Sequence, residues 1–515
     1  MENENTISAK LNRIDAAFDR IRIKTDMAND AIEDVAAAVE GLKDPSGTLN
    51  ITTNDTYDVV DYANVEVNVP GLVPTGNINI TANADDIDVS EYATASVQVP
   101  QPSGTVNIIS NGTYNVFNYA NANVSVMDIE AAEKDINFYD YDGFRVASWT
   151  LSELSSKTSL PVINRSHNGL VFQNWNWSLA NLKTVNRKTT VGALYRTSDN
   201  KTKLYIDIPR NSSSLSLSLS LSKDSTCTVE WGDGTSSTLT NTSTLLPATK
   251  TASHTYSKGL YTISLSTTGS SLSFIGSSNS KNCFGDLTAS NYYMFNFLYR
   301  IECSGTFDTG FASGAFNRCY NLRTVVTSSE CTSFMTYAFY DCEGLKNIIV
   351  PNGTTKINSY CFSSCSALEM VSLPYTITSL DIESFRKNYV LRKFHYPHQA
   401  TTVPNYALGS CNCVKALELG SSVSAINTYG LSYLYGVDTL TIPSTVTSIG
   451  ACAFYNCYSL KELHFKATTP PTVDNINAFT GIPTTCRIYV PSSKLSTYKS
   501  ATNYPSSSTY TYVGE

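Results

Sequence analysis

A chain of 515 residues is long enough for several domains, and only 16% of it is charged; Ser, Thr, Asn and 32 Tyr stand where charge would be expected. The net charge of −8 is uneven, with six basic and ten acidic residues in 1–44, then eight acidic residues and no Lys or Arg in 45–126. This excludes a nucleic-acid footprint, which needs clustered Lys and Arg, and the lack of any run of 18 apolar residues excludes a membrane-spanning helix.

The first residues, MENENTISAKLNRI, have no basic stretch followed by an apolar one, so no signal peptide is expected. Residues 5–43 then place apolar side chains four and three apart for over five heptads, the seam of a coiled coil. Ile7, Ile14, Ile21, Ala28, Val35 and Leu42 take the d positions; Leu11, Phe18, Thr25, Ile32 and Val39 take the a positions. β-branched residues at d disfavour parallel dimers. The expectation is a parallel homotrimer about 55 Å long, ended by Gly41 and Pro45.

Residues 46–126 hold three related units opened by Gly47, Gly76 and Gly104, with Tyr62, Tyr92 and Tyr119 at a shared later position. Runs such as Val65-Glu66-Val67-Asn68-Val69 alternate with period two and read as strands. Each unit is too small for a core of its own, and three copies at the base of the trimer are expected to interdigitate into a β-rich shaft. The acidic cluster at 85–88 reads as a solvated turn, with calcium the lesser alternative. Residues 127–202 are rich in aromatic residues. Trp149, Trp175 and Trp177, with Tyr139, Tyr141 and Phe172, suit a small packed α+β domain better than a sugar platform. Over 203–275 closely spaced strands, among them the alternating LSLSLSLS, predict a β-sandwich, with Gly232-Asp233-Gly234 as a hairpin turn.

From residue 276 a 23-residue period governs the chain. Phe316, Phe339, Phe362 and Phe385 keep it, Leu408, Leu431 and Phe454 continue it, and Phe479 follows after a slip to 25. Cys319, Cys342, Cys365, Cys411 and Cys457 stand three residues later; Leu322, Leu345, Leu368, Leu391, Val414, Val437 and Leu460 stand six later. Such a unit cannot bury its apolar side alone and must stack on its neighbours as a solenoid. The run ending at Pro443 is its strand, and the tail from Ile488 to Tyr498 its cap. Asn388 and Leu434 replace the repeat Cys and predict two looser rungs. The in-phase cysteines form a buried stack rather than bridges, and the thirteen Cys suit a reduced protein.

The unit IGACAFYNCYSLKEL at 449–463, with IPSTVTSIG before it, resembles the bacterial surface-antigen (BspA-like) class of leucine-rich repeat. WGDGT with HTYSKGLYTISL resembles a PKD-type immunoglobulin-like domain. The GTYNVFNYANANVSV unit and the NFYDYDG…QNWNWSL block resemble modules of phage tail and fibre proteins. Together these imply a mainly β, multidomain chain: an N-terminal coiled-coil helix (1–44), short β-repeats (45–126), a junction (127–202), a β-sandwich (203–275) and a C-terminal leucine-rich-repeat solenoid (276–515).

No HExxH, GxSxG or P-loop occurs, and no metal or cofactor site is signalled. His395 and His398 flank Pro397 and read as a surface loop. A solenoid presents a long regular surface, so the expectation is binding, not catalysis. Two register positions carry Tyr repeatedly: Tyr337, Tyr360, Tyr406 and Tyr429 two residues before the repeat Phe, and Tyr320, Tyr389, Tyr435 and Tyr458 four after it. Rungs about 4.8 Å apart would line these into aromatic strips, the candidate contact for a glycan or protein on a cell surface. The resemblances imply a phage virion fibre assembled in the bacterial cytoplasm. Its N-terminus would hold another virion structural protein and its solenoid the host. A head or neck decoration fibre and a bacterial cell-surface adhesin are the alternatives.

Overall fold

The computed structural model describes residues 134–515, except 212, 269–271, 277–280, 287–296, 305–309 and 416, together with eight short strands between residues 48 and 124. The heptad segment and the acidic cluster at 85–88 lie outside the described residues. The chain divides into two compact units, Met1–Ala132 and Glu133–Glu515.

In the first unit each repeat pairs its first strand with its last, in parallel. The pairs are Thr48–Ile51 with Asn64–Val67, Asn77–Ile80 with Thr94–Val97, and Thr105–Ile108 with Asn121–Val124. Strands also cross between repeats: Asp55–Asp58 runs antiparallel to Asn121–Val124, and Gly112–Tyr114 antiparallel to Asn64–Val67. The small units thus interdigitate within one chain.

The second unit begins with a four-stranded sheet, ordered Arg145–Trp149, Ile136–Tyr139, Thr189–Thr197, Leu170–Trp175. Two short helices accompany it. Leu151–Ser156 starts at a capping box between Thr150 and Glu153, and Leu179–Leu182 starts at Ser178, whose hydroxyl accepts from Asn181 N. Trp149, Trp175 and Phe138 meet edge to face in its core, with Phe138 4.5 Å from Trp149 and 5.1 Å from Trp175. Tyr139 and Trp177 are buried as well, so these rings are core and offer no sugar platform.

The strands over 203–275 divide between two sheets. Thr202–Ile208, Ser225–Glu230, Ser236–Asn241 and Gly259–Thr268 lie in one; Ser213–Leu221, Ala248–Tyr256 and Leu272–Phe274 lie in the other. Leu215, Leu217, Leu219 and Leu221 alternate inward with Ser outward, and they share one core with Leu204, Ile206, Val229 and Ile263. Between Ser225–Glu230 and Ser236–Asn241 the turn puts Gly232 and Gly234 at φ +88°, which only Gly adopts freely. The Asp233 carboxylate accepts from Thr235 N and Oγ1 and lies 2.7 Å from His254 Nε2, while His254 stacks on Trp231 at 5.1 Å.

Both sheets continue into the solenoid. Thr202–Ile208 pairs with Leu298–Glu302, which pairs in parallel with Thr324–Val326, and Leu272–Phe274 pairs with Gly310–Phe311. The open N-terminal end of the solenoid is therefore sealed by these strands, and one core runs from Leu204 to Tyr512. Each rung has two short strands and a turn segment carrying the repeat Phe. Phe339, Phe362 and Phe385 stack at 5.5 Å, all fully buried, each worth about 1.5–3 kcal/mol of burial.

The turn segments form a third backbone ladder. Tyr337 N, Phe339 N and Asp341 N all donate to the following rung, to Ser359, Cys361 and Ser363 carbonyls at 3.1, 2.9 and 2.8 Å. Two residues of each segment adopt positive φ to aim these donors one way, for example Tyr337 (60°) and Asp341 (59°) or Tyr360 (60°) and Ser364 (64°). The repeat Cys has a role beyond size. Its thiol donates to the carbonyl of the preceding rung's Phe: Cys342 to Phe316 and Cys365 to Phe339 at 3.2 Å, Cys411 to Phe385 at 3.1 Å. Asn388 makes the same bond through Nδ2, to Phe362 O at 3.0 Å. All thirteen thiols are free.

Both strand ladders are interrupted at the same rung: Ser379–Leu380 ends one sheet and Thr402–Val403 begins another, and the second ladder breaks there too. Met370 meets Lys393 by an isolated bridge, and regular pairing resumes only at Leu417–Glu418 with Thr439–Ile442. The junction module fills this gap. Arg187 donates to the carbonyls of Tyr396 (2.7 Å) and Glu418 and to His398 Nδ1 (3.2 Å). Thr189 Oγ1 lies 3.1 Å from His398 Nε2, and Trp177 Nε1 donates to Leu373 O at 2.8 Å. His395 and His398 are thus not a surface loop. Burial and the Arg187 charge push both imidazoles down to about 3, so both are neutral.

At the far end Arg487–Val490 and Thr511–Gly514 extend the sheet in parallel, with the helix Leu495–Lys499 beside them. Glu515 ties this cap to Lys466 and His464.

Candidate functional site

The turn ladder decides which tyrosines meet. Every tyrosine two residues before the repeat Phe sits at positive φ, between 54° and 60°, and the ladder repeats that backbone one rung on. Adjacent rings are therefore superposed: Tyr337 and Tyr360 stack at 4.6 Å and 1°, Tyr406 and Tyr429 at 4.7 Å and 6°. Between the pairs the register holds Glu383. It binds Arg386 at 2.8 Å, and Arg386 lies over the Tyr406 ring at 4.6 Å. One strip thus runs Tyr337, Tyr360, Glu383 with Arg386, Tyr406, Tyr429.

Four residues after the Phe, Tyr435 and Tyr458 stack at 5.7 Å and 20°. The remaining two candidates of that position stand elsewhere. Tyr320 reaches Asp341 at 3.4 Å, and Tyr389 stands 43% exposed between rungs that carry Ser366 and Asn412 there. Two tyrosines that the sequence reading passed over join the strips. Tyr455 lies 5.9 Å from Tyr429 and 5.6 Å from Tyr433, and Tyr433 lies 6.3 Å from Tyr435. Six rings, Tyr406 to Tyr458, form one continuous aromatic path over three rungs. Tyr340 extends the other end, 5.3 Å from Tyr337. The signal was present in the register, since Tyr340 and Tyr455 each follow a repeat Phe directly.

Burial raises the Tyr337, Tyr360 and Tyr435 phenols, and the Cys452 thiol beside Tyr429 pushes its phenol up to about 12. Where the path ends, an open groove of about 480 Å³ is lined by Tyr435, Tyr458, Asp438, Ser459, Lys461 and Thr485, among others. Among the described residues no cluster of His, Cys, Asp and Glu is placed to hold a metal ion.

Residues 309–436 and 426–511 match the family described as BspA type leucine rich repeat region, in six copies. The matched stretch coincides with the rungs of the solenoid, which are similar to leucine-rich repeats of this type. Similar solved structures include a leucine-rich repeat protein from Bacteroides ovatus (21% identity, 34% of this chain and 51% of that one, TM-score 0.29). A leucine rich cell surface protein from Faecalibacterium prausnitzii is 19% identical over 39% of this chain and 62% of its own, TM-score 0.29. The pneumococcal vaccine antigen PcpA is 16% identical over 42% and 67%, TM-score 0.28. The chain spans about half to two thirds of the length of these structures. No curated protein matches it.

Proposed function

We propose that this chain is a structural fibre protein of a phage virion that binds the host cell surface through its C-terminal solenoid, and that it is not an enzyme. The observation that carries the binding part is the continuous path from Tyr406 to Tyr458 on a rigid repeat, ending in exposed rings. Tyrosine supplies broad contact area and a hydroxyl at little entropic cost, and the shared backbone ladder fixes the rings before any partner arrives.

The virion part is supported by the heptad seam of residues 7–42, suited to three strands, and by the likeness of the β-repeats and of the 137–179 block to phage fibre modules. In this reading residues 1–44 trimerise and dock on another virion structural protein. Residues 203–275 form a PKD-type β-sandwich, a reading supported by the Asp233–His254–Trp231 arrangement in its WGDGT turn. The receptor is a surface glycan or protein of the host. A second reading, a bacterial cell-surface adhesin, is favoured by the BspA-type repeat match.

Gold-labelled antibody against residues 133–515 separates the readings by electron microscopy. Label at the ends of tail fibres is expected. Label on the head or neck makes the chain a decoration fibre, and label on the envelope of uninfected bacteria makes it an adhesin.

A further inference from the structure

We propose that the C-terminal end of the tyrosine path is a carbohydrate seat, and that it takes a short neutral oligosaccharide laid along the solenoid axis. The proposal rests on the surface-binding reading above and gives it a ligand class.

Tyr458 differs from the other candidate tyrosines. It is 56% exposed, the most of the eight, against 37% for Tyr435 and 43% for Tyr389. In the Tyr337–Tyr360 and Tyr406–Tyr429 pairs the rings cover each other, and Arg386 closes the end at Tyr406. Tyr435 covers one face of Tyr458. At the next rung the register holds Pro483, not another aromatic, so the stack of rings ends at Tyr458, and both Tyr458 and Pro483 line the groove.

The groove's size and chemistry name its occupant. At about 480 Å³ it falls in the range of small-ligand sites, roughly 300–1,000 Å³, and its nine lining residues are well short of the roughly 20–30 residues a side of a protein docking face. Its lining combines a flat aromatic face with acceptors and donors at the edge: the Asp438 carboxylate, the Lys461 ammonium, and the Ser459 and Thr485 hydroxyls. A ligand with an apolar ring face and a rim of hydroxyls is a sugar. Asp438 and Lys461 cancel in charge, which disfavours an acidic or basic sugar. Their ion pair is loose, 3.5 Å with side chains 56% and 76% exposed. Such a pair is worth about 0–1 kcal/mol, so sugar hydroxyls displace it at little cost. The backbone beneath is held, because the Asp438 carbonyl accepts from Lys461 N and Glu462 N at 2.7 and 3.0 Å. The lining comes from three successive rungs, about 10 Å of axis at 4.8 Å per rung, which suits two or three sugar units.

The full chain is applied to an array of neutral and charged bacterial polysaccharide fragments, and in parallel to the bacteria that supplied them. Tyr458→Ala, Asp438→Asn and the distant exposed Leu246→Ala are compared, with melting temperature as the folding control. The expected result is binding to neutral fragments, weakened about tenfold by Tyr458→Ala and by Asp438→Asn and unchanged by Leu246→Ala. Binding confined to charged fragments, or indifferent to both groove variants, overturns the seat. If both variants still bind cells as wild type does, the seat falls while the surface-binding reading stands. If wild type binds none of the cells, both fall.

Discussion

At the scale of single residues, the repeat positions are fixed by the backbone polar groups as much as by the core. The cysteine at Phe+3 is small, apolar and still a weak donor, and its thiol serves the carbonyl of the preceding rung. Asn388 is the exception that shows the requirement. It keeps the bond to Phe362 O but leaves its own Oδ1 buried without a partner. Asn388→Cys is therefore expected to stabilise the protein by about 1 kcal/mol, since it removes an orphaned polar atom and retains a donor. Cys342→Ala, which removes the donor, is expected to cost about 1–2 kcal/mol. Urea denaturation of the two variants beside wild type checks both signs. The Phe, Cys and Leu registers were legible in the sequence because each position faces the same surroundings in every rung. Of the two looser rungs expected, the one at Leu434 keeps regular pairing, whereas the Asn388 rung keeps its turn bond but loses regular strand pairing near Lys393. Asn388 replaces the thiol bond, and Leu434 is buried to 1% exposure.

At the scale of elements, the consequential contact is the one between the junction sheet and the strand gap near residue 393. Arg187 is buried, and its N–H groups donate to backbone carbonyls of two rungs and to His398 rather than to a carboxylate oxygen. Desolvation depresses its guanidinium to about 10. Arg187→Met orphans both carbonyls and is expected to cost about 2–4 kcal/mol. The neighbouring imidazoles add a pH dependence. In the fold His395 and His398 protonate only near 3, beside Arg187, whereas unfolded histidine does so near 6.5. Their contribution is complete above about pH 6.5 and is lost as pH falls from there towards 3, at up to about 1.4 kcal/mol per pH unit for each. His398→Gln keeps an acceptor for Arg187 and removes one titration. The slope of stability between pH 6 and 4 should fall by about half; an unchanged slope contradicts this account. None of this was legible beforehand, because Arg187 meets partners 209 to 231 residues away. A two-histidine segment around a proline carries no sign of what covers it. The strands and turns, by contrast, followed from local alternation and Gly placement, as at Leu215–Leu221 and Gly232–Gly234.

At the scale of the whole molecule, residues 133–515 form one compact unit in which the strands over 202–274 seal the solenoid. Domains read as separate beads in the sequence share a core because strand pairing passes from one to the next, which periodicity within each segment does not reveal. The tyrosine site was half legible. Pairs on adjacent rungs stack as the register implies, but the link through Tyr433 and Tyr455 and the Glu383–Arg386 insert depend on how the turns lie. The heptad seam of residues 7–42 leads to a further expectation. Light scattering should give a trimer for the full chain and a monomer for a chain starting at Pro45. A trimer in both moves the contacts out of the helix, and a monomer in both removes the fibre.

The central claim is that the solenoid side holds the binding surface, and one titration addresses it. Labelled full chain and the compact unit 133–515 are bound to the same bacterial cells, separately and in competition. The account predicts that the unit alone binds and displaces the full chain, with the full chain tighter by avidity of about 100-fold or more. A folded 133–515 unit that neither binds nor competes, while the full chain binds, would place the surface elsewhere and contradict the account.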